Sequence, residues 1–166
     1  MPGEEFNNDE PLAFFLTWTT YGTWLPGDER GWNRKYEGKI QEPNPRLEAA
    51  SRKKMTEPEF YLNESHRAVV KATIEKHCEI RGWHIHIANP RSNHVHVVVT
   101  APGYAPNIVR DQLKAWCTRK LKEAGVGREN IWTEGGSKKS INTLEQLDRV
   151  IYYASEGQDR KDRDDQ

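Results

Sequence analysis

The stretch from Trp83 to Thr100 constrains the fold more than any other part of the chain. Trp83, Ile85 and Ile87 alternate with His84, His86 and Ala88. After Asn89-Pro90-Arg91-Ser92-Asn93 the alternation resumes, with His94, His96 and Val98 interleaved with Val95, Val97 and Val99. A period of two is the period of a strand, because successive side chains leave opposite faces of the pleat. An Asn/Pro/Ser cluster between two such runs marks a turn. The segment therefore predicts a β-hairpin with Trp83, Ile85 and Ile87 on one face of its first strand. A hairpin alone is marginal in water, so other elements must cover its apolar face.

The candidates follow from local pattern. Ala13 to Thr20 is rich in aromatics and Thr and reads as a strand. Ser65 to Arg81 carries Val70, Ile74 and Cys78 at i, i+4 spacing and stops at Gly82, which predicts a helix. Asn107 to Ala124 predicts a second helix, with Val109, Leu113, Trp116 and Leu121 inward and Gly125 closing it. Asn130–Thr133 and Lys139–Ile141 are short strand candidates around Gly135-Gly136. Thr143 caps a last helix to about Glu156, with Gln146 at the capping-box position and an apolar stripe at Leu144, Leu147, Ile151 and Ala154. Tyr21 to Tyr61 is studded with Gly and Pro and reads as a long loop holding at most a short helix. Strand, helix, hairpin, helix, short strands, helix predicts an α+β, ferredoxin-like sandwich, with a mainly antiparallel sheet and helices packed on one face. Residues 1–11 read as a flexible tail, 12–158 as one domain and 159–166 as a charged tail.

With 166 residues, a core of ordinary size is possible without disulfides. Cys78 and Cys117 read as small core residues. No apolar run nears the roughly 20 residues of a membrane span, and the acidic start is unlike a signal peptide, so a cytoplasmic protein without membrane contact is expected. Lys and Arg number 25 against 25 Asp and Glu. That balance argues against coating nucleic acid by charge alone and leaves room for a local basic groove. Arg110, Lys114 and Lys122 at helical spacing, and the adjacent Lys138 and Lys139, are its candidates.

His94-Val95-His96 is the densest chemical signal. A strand presents both imidazoles on one face, where two neighbouring rings can ligate one divalent cation. His84-Ile85-His86 repeats the pattern on the partner strand, so a four-imidazole zinc site in a non-enzymatic DNA-binding module is a competing expectation.

Arg91-Ser92-Asn93-His94-Val95-His96-Val97-Val98-Val99 resembles the HUH motif of single-tyrosine transposases, in which two His flank a bulky hydrophobe. Phe15 to Trp32 (FLTWTTYGTWLPGDERGW) resembles the N-terminal signature of the branch that holds the REP-associated tyrosine transposases. Ile131–Ser137 and Ile151–Gln158 resemble later blocks of that family, in the same order. The resemblance implies a ferredoxin-like domain, often dimeric, that cuts and rejoins single-stranded DNA beside a hairpin through a 5′-phosphotyrosine. It also allows a domesticated relative that binds or processes repeat hairpins without mobility, and a rolling-circle replication initiator shares the chemistry. It implies Mg²⁺ or Mn²⁺ on His94 and His96.

The helical period leaves Tyr152 and Tyr153 on opposite sides of the last helix's apolar stripe and does not choose between them. The family block places the nucleophile at Tyr153, with Tyr152 in reserve. The resemblance also implies a third metal ligand, matched by Gln158, with Glu156 competing. Arg110, Lys114, Lys138 and Lys139 are expected to meet phosphates, and Trp24 and Trp32 to stack on bases.

Overall fold

The computed structural model describes residues 10–33 and 40–157, and it contains a four-stranded antiparallel sheet with helices on both sides. The sheet comprises β1 (Ala13–Thr19), β4 (His84–Pro90), β5 (His94–Thr100) and β6 (Ser137–Ile141), in the order β4-β5-β1-β6. The helices are α1 (Pro45–Lys53), α2 (Glu64–Arg81), α3 (Pro106–Glu123) and α4 (Leu144–Tyr152). Leaving aside α1 and a small β2/β3 ribbon (Trp32–Asn33 and Ile40–Gln41), the order is βαββαβ with a final helix. This is the expected ferredoxin-like α+β arrangement. Each of the long helices α2 and α3 carries the chain from an inner strand to the outer strand two places away, which leaves β1 and β5 side by side in the middle. No helix among the described residues is long and apolar enough to cross a membrane. The expected tails fall outside the described residues except at residues 10 and 11.

The two faces of the sheet are unequal. On one, Phe14, Leu16 and Trp18 of β1 meet Val95, Val97 and Val99 of β5. The long helices α2 and α3 cover that face with Val70, Ile74, Cys78, Val109, Leu113, Cys117 and Leu121, all buried. Both cysteines are free. The stripe of α3 runs through Cys117 and leaves Trp116 at the helix edge, 37% exposed, because steps of four place 109, 113, 117 and 121 in line. The inward position expected for Trp116 is corrected accordingly. The α2 helix starts one residue earlier than expected, at Glu64, where Asn63 and His66 form a reciprocal capping box.

The other face carries Ala13, Phe15, Val98 and Ile141, covered by α4. Helices thus pack on both faces, with the long pair together on one. No residue of α4 is fully buried before Ala154; Leu147, Val150 and Ile151 lie half-buried against the sheet and Leu144 is 71% exposed. Val150 replaces Leu144 in the packed stripe, which turns the buried side of the helix by roughly 30° toward Tyr153.

The first strand of the hairpin departs from simple alternation. His84 pairs with Thr100 and Ile85 with Val99, but Ile87 pairs with Val98, leaving His86 as an extra residue. This β-bulge reverses the phase of the rest of the strand. Ile85 packs with the α2/α3 core, while Ile87 faces α4 and Asn89 sits opposite His96. The single face expected for Trp83, Ile85 and Ile87 is corrected by that one residue.

The described part of the Tyr21–Tyr61 stretch is more ordered than its composition suggests, carrying α1 and the β2/β3 ribbon. Phe60 and Leu62 are buried, and their amides donate to Tyr21 O at 2.9 Å and to Ser92 O at 2.7 Å. The expected strand at Asn130–Thr133 is reduced to one bridge, Thr20 to Trp132, whereas the strand expected at Lys139–Ile141 begins earlier, at Ser137. Gly136, at φ +139°, lies against β1: a Cβ there would stand 2.6 Å from Thr17 O and 3.0 Å from Trp18 Cβ. We therefore expect Gly136→Ala to destabilise the fold by more than about 1 kcal/mol in urea unfolding, through strain and the forced approach to β1.

Candidate functional site

The β1–β5 ladder builds the site. Thr19 lies opposite His94, Thr17 opposite His96 and Phe15 opposite Val98, all facing the α4 side. His94 and His96 are buried, 5% and 4% exposed, with ring centroids 4.6 Å apart. Phe15 stacks on the His96 ring at 5.4 Å. Each Nδ1 has a partner: Asn93 Oδ1 at 2.7 Å from His94, and Thr17 Oγ1 at 2.9 Å from His96. The amide oxygen of Asn93 only accepts, so His94 Nδ1 carries the proton and its Nε2 keeps a bare lone pair. That Nε2 is buried and makes no hydrogen bond. Burial, helped by the nearby Arg91 and Arg30 charges, pushes the His94 pKa down to about 4, so the ring is neutral at pH 7. A neutral imidazole with an orphaned buried Nε2 and a second nitrogen fixed by an outer partner fits a divalent metal ion. Among the described residues no cluster of three or more His, Cys, Asp or Glu forms. Gln158 and the side chain of Glu156 lie outside the described residues.

Tyr153 opens a single π-helical turn, Tyr153–Gly157, that continues α4. Its ring lies 5.9 Å from that of His96 and 6.2 Å from that of Phe15, 38% exposed. Tyr152 is 53% exposed. Asn89, brought to this face by the bulge, donates from Nδ2 to Ala154 O at 2.6 Å. Nothing in the sequence pattern had singled out Asn89.

The second histidine pair is elsewhere. His84 and His86 are 4.6 Å apart by ring centroid, but His84 pairs with Thr100, four residues along β5 from His96. At about 3.4 Å per residue that is over 10 Å, too far for one tetrahedral centre. Thr100 donates to Leu12 O, so His86 Nε2 donates to Thr100 Oγ1 at 2.8 Å. His86 is thus held by Thr100, and the four-imidazole expectation is corrected by register.

The signature block after β1 folds into a tight lobe beside His94. Asp28, buried, takes Arg30 Nε at 2.8 Å and Nη2 at 2.7 Å, while Nη2 also donates to Thr23 O. The Arg30 guanidinium lies 4.0 Å over the Trp24 ring. Trp24 Nε1 donates to Gly31 O, and Trp32 Nε1 to Glu42 O. Thr20 N donates to Asn93 O at 2.8 Å, joining the lobe to the residue that orients His94.

The expected cations divide. Lys114 Nζ donates to Thr133 O at 2.8 Å and Gly135 O at 2.7 Å, and burial lowers its pKa to about 8. Arg110 donates to Gly136 O at 3.0 Å and pairs with Asp111. Both tie α3 to the loop at 133–136, which in turn holds β1 through Thr133 N to Thr19 O. Lys138 and Lys139 are on strand β6 and point to opposite faces; Lys139, opposite Phe15, shares the histidine face.

No protein-family model and no curated protein sequence matches the chain. Solved structures do. A REP-associated tyrosine transposase bound to a REP hairpin superposes with a TM-score of 0.52 at 14% identity, covering 87% of this chain and 65% of that one. A candidate transposase from Deinococcus radiodurans R1 superposes with a TM-score of 0.45 at 14% identity, covering 87% and 91%. The chain thus has the fold of the family that its motifs resemble, and it spans slightly under two thirds of the first neighbour.

The Asp28 carboxyl is held below its ordinary range, chiefly by the hydrogen bond from Arg30, against the opposing effect of burial. A depressed folded-state pKa contributes stability above the unfolded value, 3.8, that is lost as pH falls through the lower folded value. Asp28→Asn should therefore cost about 2 kcal/mol in urea unfolding at pH 7. The gap to the unsubstituted protein should shrink when both are compared below pH 3.8.

Proposed function

We propose that the chain cuts and rejoins single-stranded DNA beside a hairpin, with Tyr153 as nucleophile. The observation that carries this reading is the Tyr153 ring standing 5.9 Å from that of His96, over the face to which both buried histidines point. His94 and His96 would hold Mg²⁺ or Mn²⁺, with Gln158, or Glu156, as a third donor. A two-imidazole set suits Mn²⁺ at least as well as Mg²⁺. Bound there, the ion supplies positive charge against a non-bridging phosphate oxygen as the transition state gains charge.

The residues of the chain divide the remaining work. The Tyr153 phenol oxygen attacks phosphorus and gives up its proton to solvent; the bond from phosphorus to the 3′ oxygen breaks, and that oxygen takes up a proton. The products are a 5′-phosphotyrosine and a free 3′-OH, and attack by a 3′-OH with departure of the phenolate reverses the step. A phenol with pKa near 10 serves in both directions, as nucleophile and as leaving group. Asn93 and Thr17 hold the two imidazoles in orientation, and Phe15 walls the His96 ring. Lys139 is on the right face for a phosphate, and Trp24 and Trp32 offer surfaces for bases, each stacked base contributing about 1–3 kcal/mol. Arg110 and Lys114 act through the loop they fasten. A homodimer belongs to this reading, as the motif resemblance implies. The reaction places the protein among DNA transposition and recombination enzymes.

With Mn²⁺ and single-stranded hairpin oligonucleotides, Tyr153→Phe should bind DNA normally yet lose cleavage and the covalent protein–DNA adduct. Tyr152→Phe should keep both. His94→Ala and His96→Ala should each lower the cleavage rate by roughly a hundredfold or more, as should a chelator. Cleavage by the Tyr152→Phe/Tyr153→Phe double variant would exclude the tyrosine mechanism, and full activity in chelator would exclude the metal.

A further inference from the structure

We infer that Asn89 is a positioning residue for the Tyr153 nucleophile, its side-chain amide clamping the π-turn that carries the tyrosine onto the histidine face of the sheet. The inference rests on the proposed role of Tyr153 and adds to it a residue outside the motif blocks. The last carbonyls of a helix have no partner within the helix. Ala154 O lies in the last described turn, and Asn89 Nδ2 meets it at 2.6 Å from a different element. Asn89 lies directly opposite His96 in the β4–β5 ladder, so the clamp refers the tyrosine to the strand that bears the histidines. Ala154 itself is fully buried against Phe15 and Val98. The clamp and this small apolar contact fix both sides of the residue next to Tyr153.

The need for such a clamp is visible in α4. That helix has no fully buried residue, and its apolar side is only half covered. Packing by itself therefore leaves the helix free to shift along the sheet, and a shift of about 1 Å at a nucleophile can cost a hundredfold in rate. A π-turn also spreads five residues where an α-turn would use fewer, and such turns recur where a side chain must be re-aimed. The bulge at His86 completes the device. Were His86 paired in ordinary alternation, Asn89 would fall opposite Val95, point into the α2/α3 core and fail to reach Ala154.

The test uses the full chain labelled with 3-fluorotyrosine, the Tyr153 signal being assigned by its loss in Tyr153→Phe. In the unsubstituted protein, the Phe15 and His96 rings should displace the Tyr153 fluorine resonance from that of free fluorotyrosine. Asn89→Leu keeps the size of the side chain and removes the donor. It should move the resonance toward the free value while Mn²⁺ affinity, read by electron paramagnetic resonance, stays unchanged. Asn89→Gln retains an amide donor and should keep the resonance nearer its original position. On a hairpin oligonucleotide with a single-stranded flank, Asn89→Leu should lower kcat by roughly tenfold to a hundredfold with KM unchanged. An unmoved resonance in Asn89→Leu would overturn the inference, as would a parallel loss of Mn²⁺ affinity, which would make Asn89 part of the metal site. If the resonance moves as expected but the unsubstituted protein cuts no DNA, the clamp stands and the proposed reaction is what fails.

Discussion

Thr17 opposite His96 and Thr19 opposite His94, in the ladder between the two inner strands, set the register on which the rest of the molecule depends. A slip of one residue in either strand would exchange its two faces. The valines of β5 would then lose the α2/α3 core and the histidines would be driven into it. The register is secured because the two faces differ so much in character. One meets two long helices and is filled with large apolar side chains; the other must accommodate two imidazoles, two threonines and Asn89. Burying Val95, Val97 and Val99 and orienting the histidines are thus one event, and the stability of the core is also the precision of the site.

Around that ladder, support comes from three directions. The hairpin turn supplies Asn93, which fixes the His94 tautomer and receives the amide of Thr20. The lobe after β1 is stiffened from within by Asp28 and Arg30. On the far side, α3 reaches across with Lys114 and Arg110 to the loop at 133–136, whose Thr133 returns to Thr19. Lys114 illustrates how a charge can serve an architectural end. It is a partly buried ammonium held by two carbonyl oxygens, and its lowered pKa records the desolvation it undergoes there.

The sequence was legible wherever a period repeats over several residues. The hairpin, the helices α2 and α3, the sheet class and the shared face of His94 and His96 all follow from periods of two and 3.6. It was poorly legible where a single residue breaks a period or where contacts are distant in the chain. His86 leaves no mark because both phases of β4 put a plausible residue on each face. Trp116, three residues after Leu113, is as apolar as Cys117, four after it, so both spacings fit a helix face and the packing of the i, i+4 row against α2 decides between them. Tyr152 and Tyr153 are inseparable by periodicity because the apolar stripe includes Leu144, which is exposed; Val150 takes its place once α4 meets the sheet. The tasks of Lys114 and Arg110 depend on carbonyls 21 and 26 residues away, which no local pattern reports.

The bulge makes the number of residues in β4 matter separately from their identity. Between His84 and Asn89 the chain makes five steps against four in its partner strand, so the count is odd where the ladder alone would have it even. Substitution at His86 leaves this count intact and changes the hydrogen bond to Thr100 and the ring contact with His84. Ordinary pairing of every residue in that interval, with none left over, would transpose everything downstream, so that Ile87 and Asn89 exchange sides with Ala88 and Pro90. Removal of His86 itself would close the bulge and leave Ile87 and Asn89 opposite Val98 and His96. The two halves of the strand are therefore out of phase by one residue, and that parity is a property of the whole segment that no single side chain carries.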